Sequence, residues 1–488
     1  MRVLFCAPEV VPLAKTGGLA DVAGALPVAL AERGVDVRVA MPRYRTVSLT
    51  KANPLGSVAV AIGADAVEGT LSETRLPGTD VPVWLIDQPR YFDREGLYGE
   101  GGKDYPDNLS RFTFFSRALL EWLGRQRWQP DVIHCHDWQT ALVPVMMRAE
   151  GSSRAATVFT IHNLAYQGLF PREQFPITGL PWSLFTMRSL EFWGQVNLLK
   201  GGLYFADVLT TVSETYAREI QTEEFGAGLD GVLRDRRDDL FGILNGVDYS
   251  AWDPSVDTLI AARYTADDIS GKRACKADLQ RAFGIREDPQ VPLIGMVTRL
   301  VDQKGLDLVA QVIDELLDVG AQFVLLGTGD PRYHRLFEEL QARRRQHVGV
   351  RLGFDNRLAH QIEAGADMFL MPSRYEPSGL NQLYSLRYGT IPIVRKTGGL
   401  ADSIVDATQD ALTRGTANGF VFEAYEPQAL LQTIHRAVRT FKDRRTWQAL
   451  QQTGMRADFS WARSADRYVE VYDRAAARAG LAASPRGR

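Results

Sequence analysis

Short apolar runs alternate along this chain with stretches of helical periodicity. Arg2-Val3-Leu4-Phe5-Cys6-Ala7 is apolar after its first residue and ends at Pro8-Glu9, the pattern of a central parallel strand covered on both faces. A glycine pair follows. Val22, Leu26, Ala29 and Leu30 then recur at helical spacing over about 19–33, with Pro27 expected to kink the helix and Gly34 placed to end it. Residues 35–40 read as the next strand, which completes a βαβ unit. Further strands are predicted at 58–62, 81–86, 132–135, 157–161, 208–212 and 241–244, with helices over 109–125 and 139–148. Residues 90–107, rich in Gly, Tyr and Asp, read as a loop, either functional or ordinary. After an amphipathic helix near 276–283, a second series opens at 292–297. It continues with strands at 322–326, 348–352, 368–371, 391–394 and 419–422 and a clear helix over 306–319. Such alternation predicts an α/β protein of two Rossmann-like, doubly wound domains facing across a cleft. The boundaries fall at 1–248 and 249–460. Residues 461–488 form a terminal helix that crosses back to the first domain, and then a disordered tail from 482.

Composition narrows the class. A chain of 488 residues exceeds one compact core, and 45% hydrophobic with 24% charged residues describes a soluble globular protein. A net charge of −3 argues against a nucleic-acid partner, and the run Arg343-Arg344-Arg345 reads as a solvated helix face. Cys6, Cys135 and Cys275 form no CxxC pair, which disfavours a disulfide framework or zinc site and predicts a reducing compartment, the cytoplasm. No run is long enough to span a bilayer, and the first residues read as a strand, not as a secretory signal.

Candidate chemistry lies where strands end, because open α/β sheets bind ligands beyond the carboxyl ends of their strands. The seven residues Lys15-Thr16-Gly17-Gly18-Leu19-Ala20-Asp21 recur letter for letter at Lys396-Thr397-Gly398-Gly399-Leu400-Ala401-Asp402, each copy between a strand and a helix. Paired glycines there leave backbone N–H groups open to an anion, and Lys15 can add a compact positive charge. In the run His134-Cys135-His136-Asp137-Trp138-Gln139, the two histidines are taken to face opposite ways along the strand, and with no third ligand a metal site is not expected. Asp137 at the strand end is the better functional candidate, with helix capping the alternative. His162 and Asn163 end the next strand. His162 could donate to a ligand hydroxyl or phosphate, or satisfy loop backbone. Arg299 and Lys304 lie in one strand-to-helix loop with Gly305, a pattern for neutralising a diphosphate. Glu376, before Pro377-Ser378-Gly379-Leu380, is an acid at a strand end that needs a partner: a sugar hydroxyl, or a cap.

Taken together, KTGGL from Lys15, HDWQ from His136, HN at His162, NGVD from Asn245, TRLVDQKG from Thr298 and EPSGLNQL from Glu376 resemble the bacterial glycogen synthases and plant starch synthases, in the family's order, from Met1 to about Tyr472. The resemblance implies a GT-B glycosyltransferase that moves glucose from ADP-glucose to the non-reducing end of an α-1,4-glucan with retention and without metal or cofactor. It implies that Lys15 and the Gly17–Gly18 backbone contact the donor diphosphate, that Arg299 and Lys304 neutralise it as it departs, and that Glu376 holds the donor glucose. His162 would lie beside that sugar. Asp137, with Asn163, would bind or orient acceptor hydroxyls. Gly379, Leu380, Thr397, Gly398 and Gly399 would line the donor's phosphates and sugar. The chain departs from many bacterial members at Ser378 (Cys in them), Asn381 (Thr) and Lys396 (Arg). UDP-glucose use and a non-catalytic glucan- or nucleotide-binding role remain the rival functions. A dinucleotide oxidoreductase would need GxGxxG after the first strand, which Thr16 to Ala23 lacks.

Overall fold

The computed structural model describes residues 1–48, 52–151 and 153–480. The chain divides into two compact units. One is Met1–Gly246 with the described residues from Trp461 onward, and the other is Val247–Ser460. The expected tail from 482 lies outside the described residues.

The first unit is built on a nine-stranded sheet. Its strands are β1 (Arg2–Cys6), β2 (Asp36–Pro42), β3 (Asn53–Ile62), β4 (Asp65–Arg75), β5 (Pro82–Asp87), β6 (Val132–His136), β7 (Ala156–Ile161), β8 (Val208–Thr211) and β9 (Leu240–Gly242). They run in the order β9-β8-β7-β6-β1-β2-β5-β4-β3, parallel except for the antiparallel β3–β4 and β4–β5 pairs. Strand β1 pairs with both β2 and β6, so the chain winds away from β1 in two directions. The helix Gly18–Ala31 runs through Pro27 without a break, and Gly34 follows it with φ +77°. The final helix, Trp461–Arg478, packs in this unit. Trp461, Ala465, Tyr468 and Tyr472 join its core, and the Ser464 hydroxyl donates to the Leu244 carbonyl at 2.7 Å.

The second unit has six strands: β10 (Leu293–Leu300), β11 (Gln322–Gly329), β12 (Val348–Leu352), β13 (Met368–Met371), β14 (Ile391–Arg395) and β15 (Phe420–Phe422). Their order, β12-β11-β10-β13-β14-β15, is the Rossmann order 3-2-1-4-5-6, and every pair is parallel. Alternation along each strand divides the apolar residues between two cores. Ile294, Phe323, Leu325, Met368 and Leu370 face one helical layer, while Leu293, Val324, Leu326, Phe369 and Met371 face the other. In a sheet wound this way the crevice for a ligand opens between β10 and β13, where the strand order reverses.

Candidate active site

The loops that follow β10 and β13 meet at this reversal. Gly305 has φ +72°, and a Cβ on it would lie 2.0 Å from the Pro372 carbonyl oxygen, so only glycine lets the loops approach so closely. Gln303 ties them further: its carbonyl accepts from the Arg374 N–H at 2.8 Å, and its side-chain amide donates to the Tyr375 carbonyl at 3.3 Å. Lys304 Nζ thereby lies 2.6 Å from Glu376 Oε2, and the Ser373 hydroxyl donates to the same oxygen at 2.9 Å. Glu376 is buried, and an ammonium with a hydroxyl compensates its desolvation and fixes its orientation. Among the described residues its other carboxylate oxygen has no hydrogen-bond partner. Arg299 is exposed at the end of β10. Asn381 donates to the Val297 carbonyl at 2.7 Å, so this departure residue holds the start of its helix against β10.

The second glycine-rich copy packs against the same group. The Gly399 N–H donates to the carbonyls of Glu376 and Pro377, both at 3.1 Å. A Cβ on Gly398 (φ +45°) would lie 1.9 Å from the Glu376 carbonyl oxygen, and one on Gly399 2.0 Å from that of Ser378. Thr397 precedes them and is buried. Gly379 (φ +65°) and Leu380 lead into the helix Asn381–Arg387. Lys396 is directed elsewhere: it is exposed and paired with exposed Glu423 at 2.6 Å. The Ser378 hydroxyl is buried with no hydrogen-bond partner among the described residues.

In the first unit the equivalent reversal lies between β1 and β6, and the first copy follows β1. Two of its amides are already occupied. Glu9 is buried, and its Oε2 accepts from the Thr16 and Gly17 N–H groups and, at 2.9 Å, from the Thr16 hydroxyl. An internal carboxylate thus sits where an open anion site is expected from the sequence. Burial pushes the pKa of Glu9 up, against the lowering effect of these donors. Lys15 is exposed and pairs with Asp21 at 2.7 Å, within the same repeat, and Gly18 is exposed beside it. Glu9 carries a signal in the sequence, an acid just past a strand end, that only the folded loop makes legible.

Asp137 follows β6 with φ +55° and ψ −179°, a conformation costly for any residue but glycine. Its carboxylate makes no capping bond to the turn it precedes. It accepts the His162 N–H at 2.7 Å, and so joins the ends of β6 and β7. Burial raises its pKa to about 7; the neighbouring Glu9 charge also raises it, and the backbone donors of His162 and Asn163 oppose the shift. The side-chain oxygen of Asn163 accepts the Ala165 N–H at 3.1 Å.

The expectation that His134 and His136 face opposite ways is corrected. Residues two apart on a strand share a face, and the two rings lie 4.0 Å apart. His134 is satisfied by the hydroxyls of Tyr472 at 2.8 Å and Thr160 at 2.6 Å. His136 Nδ1 lies 2.9 Å from His162 Nε2. Burial holds all three below the usual histidine pKa, His162 at about 3. Among the described residues no three His, Cys, Asp or Glu side chains are grouped to hold a metal ion.

Comparison with known proteins places these groups in context. The starch synthase catalytic domain model matches residues 2–235, and the glycosyl transferases group 1 model matches residues 279–450. Glycogen synthase 1 of Methylococcus capsulatus is 49% identical over 483 residues, covering 98% of this chain and 97% of its own. A glycogen synthase of Anaeromyxobacter dehalogenans is 51% identical over 478 residues, covering 97% and 99%. The chain belongs to the glycogen and starch synthase family. It is a retaining glucosyltransferase of glycogen synthesis, on the two-domain GT-B fold. The catalytic domain of Arabidopsis thaliana starch synthase IV, solved with ADP and acarbose, matches at a TM-score of 0.90 and 36% identity, covering 98% of this chain and 99% of that one. A sucrose-phosphate synthase from Thermosynechococcus elongatus, at a TM-score of 0.59 and 16% identity, shares the fold. Among the described residues of this synthase no helix is long and apolar enough to cross a membrane.

Proposed function

We propose that this glucosyltransferase binds ADP-glucose at the β10–β13 reversal and transfers its glucose to the non-reducing end of an α-1,4-glucan. The observation that carries the assignment is the fixed Lys304–Glu376–Ser373 group with the Gly398–Gly399 backbone pressed against it. Lys304 and Arg299 neutralise the diphosphate as it departs. The unpartnered oxygen of Glu376 holds the donor glucose through its hydroxyls, flanked by Gly379, Leu380 and Thr397. Lys15 adds a cation for the same diphosphate, and Asp21 gives it up when donor binds; the Gly17 amide, held by Glu9, does not join it, which leaves Gly18 of that pair. His162 contacts the transferred sugar, and Asp137 with Asn163 orients the acceptor. Three buried free cysteines suit a reducing, cytoplasmic setting.

The chemistry needs no protein nucleophile in this scheme. The acceptor hydroxyl attacks the anomeric carbon on the face from which the diphosphate leaves. The carbon–phosphate oxygen bond breaks, the new glycosidic bond forms, and the hydroxyl proton passes to the departing phosphate. Retention follows, and the protein contributes position and charge stabilisation. Nucleotide release from ADP-glucose and from UDP-glucose, each with glycogen, tests the donor: faster release from UDP-glucose overturns it. Unchanged turnover in Lys304→Ala would overturn the assigned roles.

A further inference from the structure

We infer that His136 is a positioning residue: it donates Nδ1–H to His162 Nε2 and so fixes the ring of His162 with Nδ1–H available to a sugar hydroxyl. The inference rests on the reading that His162 lies beside the transferred glucose, and deepens it.

The two rings share one short contact, 2.9 Å between His136 Nδ1 and His162 Nε2. In neutral imidazoles one of these nitrogens carries the hydrogen and the other accepts it. His136 is fully buried, with the Phe5 ring 4.1 Å from its own and the His134 ring 4.0 Å away on β6. Its Nε2 has no partner among the described residues. If His162 were the donor, neutral His136 would carry its hydrogen on that Nε2, as a buried N–H with no acceptor, which is a rare and destabilising arrangement. If His136 is the donor, Nε2 carries only a lone pair, and the one N–H of His136 is satisfied.

The consequence passes to His162. With Nε2 accepting, its hydrogen resides on Nδ1, which has no partner among the described residues, while the residue itself is half-buried at the end of β7. Its main chain is held as well, since Asp137 accepts the His162 N–H at 2.7 Å. Adjacent residues of one strand end thus fix both the backbone and the ring of His162. His134 cannot substitute, because both its nitrogens are engaged by Tyr472 and Thr160.

The chain has seven histidines, few enough for selective 15N labelling of the rings. In the wild-type protein the His162 resonances, assigned by their loss in His162→Gln, should show hydrogen on Nδ1 and none on Nε2; hydrogen on Nε2 overturns the inference without any variant at His136. Asn places its amide where Nδ1 lies, so His136→Asn should keep this pattern and kcat within about 3-fold of wild type, whereas His136→Phe should lose the pattern and lower kcat about 10- to 100-fold with the donor KM little changed. A His136→Asn variant as slow as His136→Phe, or a His136→Phe variant with wild-type kcat, overturns the inference. Wild-type turnover in His162→Gln would instead overturn the placement of His162 on which it rests, and with it the catalytic consequence, whatever the tautomer.

Discussion

The same seven residues occur twice in this chain, so the same substitution can be made at equivalent positions with opposite expected results. Gly17 and Gly398 are both the first glycine of the pair. A Cβ on Gly17 would meet nothing nearer than Glu9 Oε1 at 4.0 Å, and the backbone there is extended at φ −148°. A Cβ on Gly398 would lie 1.9 Å from the Glu376 carbonyl oxygen, at φ +45°. Contacts under 3.0 Å are essentially never made by real Cβ atoms, so 3.0 − 1.9 = 1.1 Å of displacement is forced between the glycine loop and Glu376. A misplacement of about 1 Å can lower a rate about 100-fold. The left-handed backbone alone adds roughly 1–2 kcal/mol of destabilisation for alanine. Gly398→Ala should therefore lose about 100-fold in kcat/KM for the nucleotide sugar and shift the denaturant midpoint measurably. Gly17→Ala should stay within about 0.5 kcal/mol of wild-type stability. Initial rates of glucan extension with urea unfolding of both variants decide it. Equal loss of stability in the two, or wild-type kcat/KM in Gly398→Ala, would refute the reasoning.

Three further outcomes follow from individual contacts. Lys304→Ala leaves the buried Glu376 carboxylate with only the Ser373 hydroxyl, and removes a cation from the departing diphosphate. We expect at least about a 100-fold loss of kcat, measured by nucleotide release, and a Glu376→Gln/Lys304→Ala pair whose losses do not add. Ser378→Cys replaces an unpartnered buried hydroxyl by a thiol that tolerates burial better, and should raise stability by about 1 kcal/mol in urea titration. Asp137, raised to about 7 in the folded protein against about 4 unfolded, makes the folded state bind more protons between those values. Its contribution is therefore present at about pH 4 and lost as pH rises toward 7, and Asp137→Asn should remove that component from a pH series of unfolding midpoints. The depressed pKa of His162 acts with the opposite sign, losing stability as pH falls from about 6.5 toward 3, so the difference between wild type and Asp137→Asn is the informative quantity.

The parallel strands of both units were legible because burial on both faces makes them uninterrupted apolar runs, as in Leu293–Met296 and Met368–Met371. The outer hairpin was half legible. Val58, Val60 and Ile62 point inward, but β4 buries only Gly69 and Leu71 and carries Glu68, Ser72 and Glu73 among its other positions. The helix Leu198–Phe205 is not among the predicted elements; Gly201 and Gly202 lie in its middle, where glycine weakens helical periodicity. Gly202 lies there because a Cβ would meet the Phe159 ring at 2.7 Å. In the second unit, Glu376, Lys304 and the second glycine copy could be picked out as candidates from chain position, since strand ends in such sheets are where ligands bind. What position could not supply was which groups touch. Glu9 filling the Thr16–Gly17 amides, Ser373 holding Glu376 and His136 meeting His162 all join residues that spacing alone does not connect.

Asp137 shows the same limit from the other side. Its position at a strand end suggested a role, yet neither its left-handed backbone nor its bond to His162 follows from the letters around it. A non-glycine residue held at positive φ is strain that the surrounding bonds must over-determine, here through the Asp137 N–H to the Thr160 carbonyl at 3.0 Å and the Thr140 hydroxyl to the His136 carbonyl at 2.9 Å.

The central claim, that the donor diphosphate is held at the β10–β13 reversal, is tested most directly by a crystal structure of the protein with ADP. The account predicts diphosphate oxygens within hydrogen-bonding distance of Lys304 Nζ and Arg299, next to the Thr397–Gly399 backbone. Nucleotide bound at any other strand end, with Lys304 still paired only to Glu376, would contradict it.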